Sequence, residues 1–218
     1  GGAGDAGPLL ELLDFRLAWR SEDEAVRAAE TPLRVALLLQ RAALRQAAGQ
    51  VARSIEDLRA LLALDARHLV AQRRLADLLA ADGQLEAALD EYERYLKLDA
   101  EPAELRAVHA QLATLLGDSD PARAAANLGH ALDLGPRRLT AEEWAEGSEA
   151  SLYRWQVRLL LQIGDYPEAV AVLRRLSDLI PPGPEHGIQL ARVELESADV
   201  LQNQAQDPTG ALIAVERA

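Results

Sequence analysis

The chain has 218 residues, 49% of them hydrophobic, which is ample for a packed interior, and the 4% aromatic share with few β-branched runs argues against a sandwich or barrel. Its 23 basic against 35 acidic side chains leave a net charge of -12, which disfavours a nucleic-acid partner because phosphate binding needs clustered basic residues. The absence of cysteine excludes thiol catalysis, disulfides and thiolate metal sites.

Long runs of Leu, Ala, Arg, Glu and Gln have high summed helix propensity, so an all-helical protein is expected. Residues 1–7, Gly-rich, read as a flexible linker or cloning remnant. Residues 8–20 and 21–30 read as two short helices that cap the stack that follows, giving N-terminal capping helices over 8–31; the second opens with a Ser21 to Glu24 capping box. Thr31-Pro32, Asp120-Pro121 and Asp207-Pro208 place a capping side chain before a proline, whose missing N–H costs nothing at the first helical position, so each marks a helix start.

From residue 32 onward the chain repeats itself. Gly49-Gln50 and Gly83-Gln84 stand 34 residues apart, and Leu62-Ala63-Leu64-Asp65 keeps the same offset from Leu96-Lys97-Leu98-Asp99. A third copy ends at Leu132-Asp133-Leu134-Gly135-Pro136, a fourth carries Gly164-Asp165-Tyr166-Pro167-Glu168-Ala169, and Asp207-Pro208-Thr209-Gly210-Ala211 lies in a fifth. Each copy reads helix, short turn, helix, with Gly49, Gly83 and Gly164 in the turns. Small residues (Ala42, Ala76, Ala88, Ala124, Ala169) fall where paired helices approach, and large ones (Leu58, Leu75, Tyr92, Leu128, Leu173) fill the space between copies. Thr140 to Glu143 is a second capping box, in a stretch (139–149) that breaks the period and reads either as a lengthened first helix of the fourth copy or as a short extra turn.

This pattern resembles the tetratricopeptide repeat. Copies over 35–68, 69–102, 105–138 and 150–183 and an incomplete one over 192–218 match its small-residue positions, best in the second copy with Leu75, Ala76, Ala88 and Tyr92. Four positions depart from it: Ser54, Gln72, Tyr95 and Leu112 stand where the family prefers other residues. The resemblance implies a right-handed α-solenoid of antiparallel helix pairs whose first helices line a concave groove for a segment of another protein. Projected onto this chain, the groove positions include Leu39, then Arg73 and Asp77, then Arg106 and His109, then Arg154 and Arg158, with Trp155 as an aromatic neighbour. Arginine's planar fork matches carboxylates, so a protein or peptide ligand, acidic in the sharpest form of this reading, is expected. The family's carboxylate clamp for chaperone tails is not expected, since its positions carry Leu39, Ala43, Arg74, Arg106 and Ala110.

Catalytic constellations are scarce. His68, His109, His130 and His186 have no i, i+4 histidine partner, Gly117-Asp118-Ser119-Asp120 lacks the ligands of a calcium loop, and there is no phosphate loop, so neither an enzyme nor a cofactor is expected. No apolar run approaches the roughly 18 residues of a membrane span. Methionine is absent and Lys97 is the only lysine, which suggests a segment of a longer, bacterial protein, with the cytoplasm preferred to the periplasm. A binding scaffold is the leading expectation. Its rivals are self-association through the C-terminal end, where Leu212, Ile213 and Val215 lack a covering helix, and a regulatory segment of a larger enzyme or signalling protein.

Overall fold

The computed structural model describes residues 7–19, 21–117, 119–181, 183, 186–204 and 206–217. Of residues 1–7, read above as a linker, residues 1–6 lie outside them, as do Arg20, Asp118 and Ala218, whereas Gly7 is already the first residue of a helix. The described residues form twelve α-helices and no strand, and no helix among them is long and apolar enough to cross a membrane. The chain divides into two compact units, Gly1–Ala100 and Glu101–Ala218.

The first unit holds α1 (Gly7–Ala18), α2 (Glu24–Ala47), α3 (Val51–Leu64), α4 (Leu69–Ala81) and α5 (Leu85–Tyr95). Each packs on its neighbour in the chain. Ala42, Ala76 and Ala88 are fully enclosed at the helix crossings, with Leu58, Leu75 and Tyr92 between them. The α4–α5 turn passes through Gly83 at φ +77°, a left-handed conformation that a side chain would strain. Ser54, which departs from the small-residue pattern, is buried and donates to the Ala42 carbonyl at 2.8 Å, so its hydroxyl is satisfied across the α2–α3 crossing. Gln72, in place of an aromatic, is likewise buried and donates to the Glu91 carbonyl at 3.1 Å.

Two local expectations are corrected. Helix α2 does not start at Thr31-Pro32: it runs unbroken from Glu24 to Ala47 with Pro32 inside it. Nor does a Ser21 capping box open a separate short helix, because Asp23 is the cap and accepts from the amides of Ala25 (2.8 Å) and Val26 (3.4 Å). The Thr31 hydroxyl donates to the Arg27 carbonyl at 3.2 Å, and Arg34, just beyond Pro32, ties α2 to the end of α1 through the carbonyls of Leu17 and Trp19, both at 3.1 Å. An ion cluster completes the attachment: Asp57 of α3 and Asp14 of α1 both hold Arg41 and Arg45 of α2.

The second unit holds α6 (Pro102–Leu116), α7 (Pro121–Asp133), α8 (Ala141–Glu146), α9 (Ser148–Ile163), α10 (Tyr166–Leu179), α11 (Gly187–Asp199) and α12 (Pro208–Arg217), with a π-helical turn, Val200–Gln204, after α11. Asp120 caps α7 by accepting from the Arg123 amide at 3.1 Å, and Pro121 follows it in the first turn. Thr140 and Glu143 form the reciprocal capping box, but the helix they open, α8, ends after one and a half turns at Gly147 and is not an extension of α9. Gly164, at φ +77°, turns the chain from α9 into α10. Ala124, Leu128, Ala169 and Leu173 are buried, and α9 is packed between α7 and α10.

Candidate functional site

At 100° per residue, the pattern of α9 divides it into two sides. Ala150, Tyr153, Val157 and Leu160 are buried, and the opposite side exposes Ser151, Arg154, Arg158 and Gln162, with Trp155 half-buried among them. Arg154 and Arg158 stand one turn apart, and neither has an ion pair or hydrogen bond among the described residues. The result is an exposed face with two uncompensated guanidinium groups beside an indole, on a helix held by packing from behind.

The other projected positions in this unit are turned toward neighbouring helices. Arg106 pairs with Glu149 through Nη2 and donates from Nε to the Ala131 carbonyl at 3.1 Å, so its charge is met internally. Gly135 makes room for this pair: a Cβ there would lie 2.9 Å from Glu149 Oε1 and 3.3 Å from Arg106 Nε. His109 bonds Asn127 Oδ1 through Nδ1 at 2.9 Å, and its ring lies 5.0 Å from that of His130. Burial pushes the His109 pKa below the ordinary histidine value, against the opposing effect of the Asn127 bond, and the neighbouring His130 adds to the lowering.

In the first unit, Leu39 is half-buried on α2. Arg73 donates from Nε to both carboxylate oxygens of Asp77, at 3.0 and 3.2 Å, and its guanidinium lies 5.5 Å from the centre of the Tyr92 ring. The Tyr92 hydroxyl also donates to Asp77. Burial, first, and then the Asp77 carboxylate push the Tyr92 pKa up. Arg73 and Asp77 thus neutralise each other. Of the eight projected residues, only Arg154, Trp155 and Arg158 share one exposed face without an internal ionic partner.

Two residues that spacing alone did not single out shape the second unit. Glu149, the partner of Arg106, lies 43 positions away in sequence and carries no local signal. Gln156 stands between Tyr153 and Val157 in the buried register of α9, which is the one sequence sign that marks it. Among the described residues no three His, Asp or Glu side chains converge as a metal ion would require.

No family model matches the chain, and no curated protein matches it. Solved structures do. The MamA protein superposes with a TM-score of 0.51 at 13% identity, over 87% of this chain and 90% of that one. YrrB, a TPR protein with an unusual peptide-binding site, does so with a TM-score of 0.51 at 16% identity, over 90% of this chain and 91% of its own. The helix pairs, their enclosed alanines and these superpositions together show that the chain has the tetratricopeptide-repeat fold, an all-α fold of the α-solenoid class.

Proposed function

We propose that the chain is a non-catalytic scaffold that binds an acidic segment of another protein on the exposed face of α9. The observation that carries this reading is the pair Arg154 and Arg158, one turn apart and without an internal acid, on either side of the half-exposed Trp155. Arg and Trp dominate the energetics of protein interfaces: the guanidinium grips carboxylates in two-point fashion and the indole supplies apolar area with little conformational entropy to lose. On a protein of net charge -12, these two cations form a local exception that draws negative charge to one place. Each arginine–carboxylate contact contributes about 1.5–3 kcal/mol before the cost of ordering the ligand.

The test is fluorescence anisotropy with acidic, basic and apolar peptides at several salt concentrations. Acidic peptides should bind best, weaken as salt rises, and lose binding to an Arg154→Glu, Arg158→Glu double variant. Binding that survives this reversal would remove the site from α9. Arg106→Glu is the matched control: it sets two acids together at Glu149, so it should lower stability rather than act only on peptide affinity.

A second reading is self-association through α12. Leu212, Ile213 and Val215 are exposed on that helix, and apolar residues left open in this way favour pairing. Light scattering over a concentration series separates the two readings, since the scaffold reading needs only a monomer.

A further inference from the structure

Helix α1 has one face on the protein and one in solvent. Leu13 and Leu17 are buried where it packs on α2, whereas Leu9, Leu12, Phe15 and Trp19 are 38%, 60%, 76% and 49% exposed. Phe15 is the only phenylalanine of the chain, and it is left in water. At 100° per residue, carried to Trp19 just past the last helical residue, these four side chains fall within one arc of about 120° and form a continuous stripe. Leu33 of α2, 46% exposed, adjoins the stripe beside Trp19.

The spacing of the stripe and the charges along its borders select an occupant. Pro8, Leu12, Phe15 and Trp19 follow one another at intervals of four, three and four, the alternation that lets one helix face another along its length. Glu11 borders the stripe on one side and Arg16, five residues on, borders it on the other. Neither has an ion pair or hydrogen bond among the described residues, and the Arg16 guanidinium lies 5.9 Å from the centre of the Trp19 ring. Between two parallel copies of α1 related by a twofold axis, the Glu11 border of each meets the Arg16 border of the other, which gives two ion pairs. An antiparallel pair sets Glu11 against Glu11 and Arg16 against Arg16. The area is sufficient as well: the four side chains expose on the order of 500 Å² per copy, so two copies cover about 1,000 Å², the lower bound of a specific interface before its rim is added. A lipid surface fits less well, because Glu11 and Asp14 outnumber Arg16 on α1 and interfacial helices carry a basic polar face.

We propose that the exposed stripe of α1 is a dimerisation surface, and that its partner is α1 of a second copy of this chain, lying parallel and in register. This depends on neither the α9 reading nor the α12 reading.

The test is sedimentation velocity on the full chain over about 1–200 µM, the range suited to an interface near the lower size limit. The parent should pass reversibly from monomer to dimer. Phe15→Glu, at an exposed position that does not threaten folding, should stay monomeric with unchanged helicity by circular dichroism, whereas Ile213→Glu on α12 should dimerise like the parent. Arg16→Glu should weaken the dimer about 10-fold, since two attractive pairs become repulsive, and adding Glu11→Arg should restore it. Because the chain has no cysteine, the register can be read directly. Leu12→Cys and Trp19→Cys, each alone, should give disulfide-linked dimers on mild oxidation, as both positions face their own copies only in a parallel pair. A monomer throughout, including one that sediments with phosphatidylglycerol vesicles, would overturn the proposal. So would a dimer dispersed by Ile213→Glu but not by Phe15→Glu, one indifferent to Arg16→Glu, or failure of either cysteine to crosslink.

Discussion

Asp57 is expected to hold the N-terminal helices more strongly than its neighbours suggest. Its side chain is 3% exposed and accepts from Arg41 Nη2 at 2.6 Å and Arg45 Nη1 at 2.9 Å, whose own side chains are 16% and 13% exposed. Asp14 contacts the same two arginines, at 2.6 and 3.1 Å, but is 53% exposed. Two cations and two anions balance only while both aspartates are present. Asp57→Ala leaves two largely buried guanidinium groups facing one solvated carboxylate, which should cost about 3–5 kcal/mol. Asp14→Ala removes the exposed partner while Asp57 still compensates, and should cost about 0.2–1 kcal/mol.

Trp19 lies in the first unit and Trp144 and Trp155 in the second, so a Trp144→Phe, Trp155→Phe background makes fluorescence report on the first unit alone. With a urea slope of about 1–3 kcal/mol per molar, the Asp57→Ala midpoint should fall by about 2 M and that of Asp14→Ala by less than about 0.5 M. A combined Arg41→Met, Arg45→Leu, Asp57→Leu variant should return close to the parent, since an apolar replacement of the buried group ends the desolvation cost. Equal midpoints for Asp57→Ala and Asp14→Ala would refute the argument that burial decides the outcome.

Ala88 is fully enclosed at the α4–α5 crossing, so Ala88→Phe should overpack it and lower stability by about 1–3 kcal/mol; stability equal to the parent would place that crossing elsewhere. Pro32→Ala should raise stability by about 2 kcal/mol, the helix-interior penalty of about 3 less the proline's effect on the unfolded chain. A neutral or destabilising result would mean that the helix starts at Pro32. His109 is held below its ordinary pKa of 6.5, so on acidification the unfolded chain takes up its proton first. The second unit should therefore lose stability as pH falls below about 6.5 and level off below the folded pKa, and His109→Gln should flatten this dependence in urea titrations read at several pH values.

The repeat was legible in the sequence because one contact recurs: an alanine at each crossing of paired helices, a large apolar residue between pairs, and a glycine in the turn. Ala42, Ala76, Ala88, Ala124 and Ala169 carry that signal and are all buried. The helix-level departures were legible only in part, because each is settled by a partner outside its own helix. Ser54 is tolerated at a small-residue position because the Ala42 carbonyl lies within its reach. Pro32, a start signal by local chemistry, lies inside a helix where Asp23 caps the chain earlier and Arg34 ties it to α1.

The same division runs through the candidate site. Position in the repeat identified Arg73, Arg106, Arg154 and Arg158 alike, since helical register alone decides which residues occupy equivalent places. Whether each charge is available for a ligand is set by the nearest carboxylate in space. For Arg73 that is Asp77, one turn along the same helix; for Arg106 it is Glu149, on a helix 43 residues away; for Arg154 and Arg158 there is none among the described residues. Register follows from periodicity and can be read along the chain, whereas charge compensation decays over a few ångströms of space, and only the tertiary structure brings those distances about.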